Sequence, residues 1–331
     1  MCTESPTREP VARAALTDVH AHFVTDHYVR AASHAGHAHP DGMPAWPTWN
    51  AEEHLALMDS ANITRSILSI SSPGVHFGDN ATARALAREV NDYAAELTTA
   101  QPNRFGQFAA LPLPDVDGAI IEATYALDEL GADGVTFLSN AHGMYLGNPR
   151  LEPLLAELDR RHATVFVHPT SPPNWEAVAL GRPRPLMEFL FDTARTVTGL
   201  VLSDHLDRFP TINWIFTHGG GVIPLLADRI ELFQTAFAGG QPGDIATLLS
   251  RLAYDSAGTP FPIQLPTLAH IVGTNRILYG SDYCFTPPAA VKAQIAAIDM
   301  APAPSDEGTW RQVMADNSER LLPSHVYRGL G

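Results

Sequence analysis

Metal-ligand-type residues recur in this chain at the ends of apolar runs: His20 and His22, His168, His218 and Asp282. The runs that precede them, Leu16 to Val19, Val165 to Val167, Ile212 to Thr217 and Ile277 to Ser281, read as short buried strands bounded by Gly, Pro and Asp. One histidine ending a strand is ordinary packing. Four strands that each deliver imidazole or carboxylate at the same end build one site from across the whole sequence. Side chains alternate along a strand, so His20 and His22 share one face and Ala21 takes the other. Three neutral imidazoles and a carboxylate suit a borderline divalent ion, whereas magnesium or calcium takes mostly oxygen ligands. One divalent ion, Zn2+ or Mn2+, is the expected cofactor.

The elements that must position these groups alternate regularly. Strand-like runs lie near residues 14–20, 63–71, 104–111, 134–139, 163–168, 212–218, 252–256 and 277–282. Helix-length amphipathic segments separate them, among them Glu52 to Asn62, Thr82 to Ala100, Val116 to Leu130, Leu151 to Arg161, Ile223 to Phe237 and Pro287 to Met300. Alternating strands and helices imply parallel strands with right-handed crossovers, and eight such units close an α/β (β/α)8 TIM barrel whose active site forms at the carboxyl ends of the strands. The expected organisation is a flexible N-terminal tail (1–13) and one barrel domain (14–331), with a long loop after the first strand (about 25–48) placed to act as a lid.

Composition excludes several functions. The formal charge of −15 argues against nucleic acid and against anionic membrane surfaces, which are bound through clustered Lys and Arg. The two cysteines, Cys2 and Cys284, make no disulfide framework, and a cytoplasmic location fits. No run of about 18 apolar residues exists to span a bilayer, and the first 13 residues lack the apolar stretch of a signal peptide. Lys292 is the only lysine and sits in the helix after the last strand. Schiff-base, pyridoxal phosphate and Walker-type chemistries, which need a placed lysine, are therefore excluded.

The segments Asp18-Val19-His20-Ala21-His22-Phe23, Val167-His168-Pro169, Thr217-His218-Gly219-Gly220-Gly221 and Tyr279-Gly280-Ser281-Asp282-Tyr283 together resemble the amidohydrolase superfamily, and within it the aminocarboxymuconate semialdehyde decarboxylase family. The stretches Ser66 to Gly74 and Pro185 to Thr193 are similar to the 6-methylsalicylate decarboxylase group. The resemblance spans roughly residues 16–321. It implies that His20, His22, His168 and Asp282 bind one metal, with His218 as the acid or base beside it. Binuclear members of the superfamily carry a carboxylated lysine at strand four; Gly134 to Ser139 has none, which fits a mononuclear site.

The implied activity is non-oxidative decarboxylation of a small aromatic, salicylate-like acid. A metal chelated by the carboxylate and the neighbouring phenolate oxygen fixes the ring, Asp282 donates a proton to the carbon that loses carbon dioxide, and His218 assists. The alternative is a mononuclear amidohydrolase or lactonase, in which metal-activated water attacks a C–N or C–O bond. Phe23, Trp46, Trp49, Trp175, Phe191, Tyr283 and Phe285 fall near strand ends or in following loops, where an aromatic pocket would lie, with core packing at least as good an account of each. Four loop histidines, His27, His34, His37 and His39, read as solvated, Cys284 as a small buried hydrophobe, and Gly219 to Gly221 as a place of close backbone approach. The muconate semialdehyde enzymes hold a second carboxylate with an arginine before strand two; Thr48 to Asn62 has no arginine, so a monocarboxylic substrate is preferred. In that branch an arginine at the place of Arg229 reaches the neighbouring subunit's site, which makes a two-fold homodimer the expected assembly; an ion pair of Arg229 with Asp228 or Glu231 is the plainer reading.

Overall fold

The computed structural model describes residues 13–237, 245–304 and 308–322. The expected tail therefore lies outside the described residues except for Arg13. Eight parallel strands pair in chain order: β1 (Leu16–His22), β2 (Ile63–Ser69), β3 (Phe105–Ala110), β4 (Gly134–Leu138), β5 (Thr164–His168), β6 (Asn213–Phe216), β7 (Ala253–Asp255) and β8 (Ile277–Leu278). The sheet closes on itself where Asp18 bridges Tyr279 and Ala21 bridges Tyr283, with the Val19 amide donating to the Tyr279 carbonyl at 2.9 Å. The fold is the expected (β/α)8 barrel. The last strands are shorter than their sequence patterns, so His218 and Asp282 sit in the turns just beyond β6 and β8.

The helices are α1 (Asp26–Ala32), α2 (Ala51–Ala61), α3 (Asn80–Ala100), α4 (Val116–Asp128), α5 (Glu152–Arg160), α6 (Glu188–Leu202), α7 (His205–Arg208), α8 (Ile223–Phe237), α9 (Ile245–Ser250), α10 (Leu265–Val272), α11 (Pro288–Met300) and α12 (Trp310–Leu321). Their starts are chemically specified. Asn50, Asp79, Asp115 and Thr309 each accept, through a side-chain oxygen, the amide three residues on, satisfying a donor that has no partner within the helix. The loop expected over 25–48 is partly helical. Thr25 caps α1 by accepting the Tyr28 amide at 3.1 Å, a wider turn continues through Ser33–His37, and a tight turn follows at Pro40–Gly42. No helix among the described residues is long and apolar enough to cross a membrane.

Two apolar layers hold the barrel. The larger lies between strands and helices; the smaller fills the barrel with Val19, Ile67, Phe108, Phe166, Ile215, Ala253 and Leu278, and so plugs it below the strand ends. Alternation alone would place Val19 outside, with Ala21. The β1 register advances three residues from Asp18 to Ala21 while β2 advances two, from Ser66 to Leu68. The extra residue is a bulge, and it lets Val19 and His20 both turn inward.

At the sequence ends of the barrel, Arg311 on α12 grips Asp299 on α11 through Nε at 2.6 Å and Nη2 at 2.9 Å, while its Nη1 donates to the Ala14 carbonyl at 3.3 Å. Arg311 is buried and the Asp299 side chain nearly so. Removing one partner of such a pair leaves a desolvated charge. Arg311→Ala should lower the unfolding free energy by about 3 kcal/mol in urea titration; a loss below about 1 kcal/mol would rank the pair with surface ion pairs instead.

Candidate metal centre and active site

Strand β1 delivers His20 and His22, β5 ends on His168, and the turn after β8 carries Asp282. One ligand atom from each of the four lies within 4.8 Å of all the others. The Nε2 atoms of His20 and His22 are 3.0 Å apart, and the nearer Asp282 oxygen is 3.4 Å from the first and 3.2 Å from the second. All three histidines are fully or almost fully buried.

The opposite ring nitrogens are tied outward. His20 Nδ1 meets Asp255 Oδ2 at 2.8 Å, His22 Nδ1 meets the Ser69 carbonyl at 3.2 Å and hydroxyl at 3.0 Å, and His168 Nδ1 meets the Pro169 carbonyl at 2.7 Å. A backbone carbonyl and a carboxylate only accept, so the proton belongs on Nδ1 and each Nε2 presents a lone pair to the common centre. Lone pairs converging at 3 Å repel unless a cation stands against them. The donor set thus fits a divalent ion held by His20, His22, His168 and Asp282.

Electrostatics point the same way. Burial opposes charge on His20, but the Asp255 and then the Asp282 carboxylates outweigh it and pull the imidazole up to about 10. Burial pushes His22 down, and burial followed by the neighbouring imidazoles pushes His168 well below the ordinary histidine range. Asp282 and Asp255 are both held low, because His20 and the hydrogen bonds to it overcome the burial that would raise them. Asp255 on one side of the His20 ring and Asp282 on the other thus hold positive charge at the cluster, as a proton on His20 where no metal ion is bound.

Asp255, at the end of β7, was not singled out from the sequence, although it ends a strand-like run as the other site residues do. Its Oδ1 accepts the His218 amide at 2.9 Å and the Ala257 amide at 3.0 Å. His218, with its ring 5.1 Å from that of His20, is pushed below the ordinary histidine range by burial and then by His20. Both His218 and Asp282 have left-handed backbone, at φ 51° and 59°. Such conformations are uncommon outside glycine and concentrate at functional sites. The glycines after His218 allow the turn: a Cβ on Gly221 would stand 2.2 Å from the Leu190 carbonyl, the close approach expected of this run.

Over the cluster lies a cavity of about 350 Å3, floored by His168, His218 and Asp282 and walled by Ser71, Phe189, Gln264 and Phe285. Among the described residues no lysine or arginine lines it. Of the aromatic candidates, Phe285 lines this cavity. Phe23 packs on Tyr93 and Trp49, Trp49 donates to His54, and Trp46 donates to the His37 carbonyl and packs edge-on to Phe285. Tyr283 packs against His54, Trp175 lines a neighbouring cavity, Phe191 is exposed on α6, and Arg229 sits over Phe233 in an open groove between α6 and α8. The walls that the sequence did not signal are Phe189 and Gln264, whose amide donates to the His218 carbonyl at 2.6 Å. Cys284 is buried and its thiol is pushed up to about 12, as suits a small hydrophobe.

Comparison with known proteins agrees with this geometry. The decarboxylase yanB of Aspergillus niger is 35% identical over 92% of this chain and 87% of its own length. The 6-methylsalicylic acid decarboxylase acuB of Aspergillus aculeatus is 34% identical over 92% of this chain and 95% of its own. The crystal structure of an amidohydrolase II superposes with a TM-score of 0.84 at 34% identity, covering 93% of this chain and 99% of the other. The amidohydrolase family model (Amidohydro_2) matches residues 17–324, from the strand that carries the paired histidines to past the final helix, and the chain belongs to that family.

Proposed function

We propose that this protein is a metal-dependent carboxy-lyase that removes carbon dioxide, without redox chemistry, from a small salicylate-like aromatic acid. The observation that carries the reading is the converging set of three imidazoles and one carboxylate beneath a cavity of single-ring size, in a chain whose relatives along nearly its full length include 6-methylsalicylic acid decarboxylases. Held by His20, His22, His168 and Asp282, a divalent ion, Zn2+ or Mn2+, would supply positive charge to orient an anionic ortho-hydroxy acid and stabilise its developing charge. With no lysine or arginine in the cavity wall, one carboxylate is the most that the chain's own residues accommodate.

Asp282 is ionised at rest, so it acts first as a base toward the phenolic proton. It then returns that proton to the ring carbon bearing the carboxylate. As the C–H bond forms and the C–C bond breaks, the bonding electrons return to the ring and carbon dioxide leaves. The net proton consumed comes from water and passes through His218, whose imidazole is neutral at pH 7 and so can accept and hand on a proton. Phe285 and Phe189 flank the ring, and Gln264 fixes the His218 turn. Residues 14–331 are read as one catalytic domain, and the free buried thiol supports a reducing compartment such as the cytosol.

A two-fold dimer, as expected from the sequence, would use the outer face of α6 and α8. Helices α6 and α8 expose Leu202, Phe233 and Phe237, the last at 76%, around a groove of about 590 Å3 that contains Arg229, and Phe191 and Leu225 are exposed elsewhere on the same two helices. An exposed apolar face of this kind supports the reading of an interface. In a two-fold dimer it lets each subunit offer Arg229 to its neighbour's substrate, the cation that the cavity lacks.

Three outcomes are expected. Metal analysis should find about one transition-metal ion per chain, and His22→Ala should lose both metal and activity; full activity after chelator treatment would remove the metal from the mechanism. In deuterated water the phenolic product should carry deuterium at the vacated carbon, and His218→Ala should retain metal while its rate falls at least about a hundredfold. A salicylate consumed without release of carbon dioxide would point to hydrolysis. Mixing His22→Ala with Arg229→Ala chains under subunit exchange should recover part of the activity, and no recovery after proven exchange would remove the shared site.

A further inference from the structure

A second cavity, of about 320 Å3, opens beside the first at the ends of β2, β3 and β4, and the Pro40–Gly42 turn separates the two, with Asp41 facing both. Its floor is apolar, built from Ile70, Ala110, Leu111 and Leu138. Its rim carries Arg184 with His37, His39, His76 and His142, and Asp41 is the acidic group among its described lining residues. In a chain with a net charge of −15 such a grouping is unusual.

Arg184 is held in a defined pose. Its guanidinium carbon lies 4.0 Å from the centre of the Trp175 ring, and its Nε donates to the Ser171 hydroxyl at 2.9 Å, which in turn donates to Asp41 at 2.5 Å. Gly42, at φ +79°, lets the guanidinium lie against the turn; a Cβ there would stand 2.5 Å from Nη1. Among the described residues Arg184 forms no ion pair, and its two terminal nitrogens donate to no protein acceptor. Burial pushes it below the ordinary arginine range, although Asp41 and Glu176 partly oppose this. A half-buried guanidinium stacked on an aromatic ring, with two parallel N–H groups left over, is the geometry that meets a carboxylate in a bidentate fashion.

We infer that this cavity is a second binding site, for the anion of a single-ring aromatic carboxylic acid, with Arg184 taking the carboxylate and the floor of β2–β4 taking the ring. In its ligand class the inference rests on the proposed function, since it places a substrate-like or product-like acid one turn of chain away from the metal. In its geometry it is independent, because none of its recognition groups belongs to the metal centre.

The test uses 4-fluorobenzoate, which lacks the ortho hydroxyl needed for chelation, titrated into the full-length chain and followed by fluorine NMR. In a His22→Ala background, which disables the metal-centred site, the probe should still bind, and adding Arg184→Gln should weaken that binding at least tenfold. Unchanged affinity, or no binding to the His22→Ala protein, overturns the proposal. Should Arg184→Gln fail to fold, as judged by its melting transition, His142→Gln on the opposite rim replaces it, with a loss of affinity expected and an unchanged affinity again overturning. Carbon dioxide release is measured separately. A chain that decarboxylates no salicylate yet loses the probe with Arg184→Gln would sink the proposed function and leave this site standing.

Discussion

The contact between Asp255 and His20 joins the seventh strand to the first at the point of greatest electrostatic demand. Asp255 is wholly buried, and a buried carboxylate without partners would cost several kcal/mol. Its compensation comes from the His20 imidazole on the first strand and from the amides of His218 and Ala257 at the sixth and seventh strand ends. The same three contacts that make Asp255 tolerable also fix the tautomer of His20, a candidate metal ligand, and the position of the His218 backbone. Stability and chemistry are therefore carried by one set of bonds, and neither can be altered without the other.

The barrel supplies the rest through small departures from regularity. The bulge in β1 turns Val19 into the plug while keeping His20 above it, against the ring of Phe166. Short β6 and β8 hand over to turns in which His218 and Asp282 take left-handed backbone, which aims both side chains into the pocket from outside the ladder. Around them the Ser139, Asn140 and Tyr145 donors converge on the buried Asp192, and Ser139 Oγ in turn accepts the Thr170 amide. That network ties the chain after β4 to the chain after β5, where His168 sits. The candidate ligands rest on a braced frame rather than on free loops.

How much of this was legible in the sequence depends on the range of the interaction. The ligand residues could be read because each ends an apolar run, and a strand's end is a local property. Asp255 obeys the same rule but stands alone in its run, where a single aspartate reads equally well as a turn residue. The β1 bulge left no mark, because register is decided by the neighbouring strand. Pocket walls were least legible. Phe189 lines the cavity while Phe191, two residues along α6, is 42% exposed, since positions two apart on a helix point in nearly opposite directions. Which of the two faces inward is settled by how α6 docks on the barrel, a long-range fact. The four loop histidines had looked alike: His27 pairs with Glu89 across the surface, whereas His37 is turned toward the Arg184 cavity by the helical turns after β1.

The scarcity of lysine has a consequence of a different kind. Lys292 is the only one in the chain, it is exposed on α11, and it lines neither cavity at the barrel mouth. Amine-directed reagents such as activated esters and aldehydes therefore find one side-chain target, well separated in role from the chemistry. Lys292 is thus an attachment point, alongside any free α-amine, at which a dye, a tether or a solid support can be joined while the strand ends stay open.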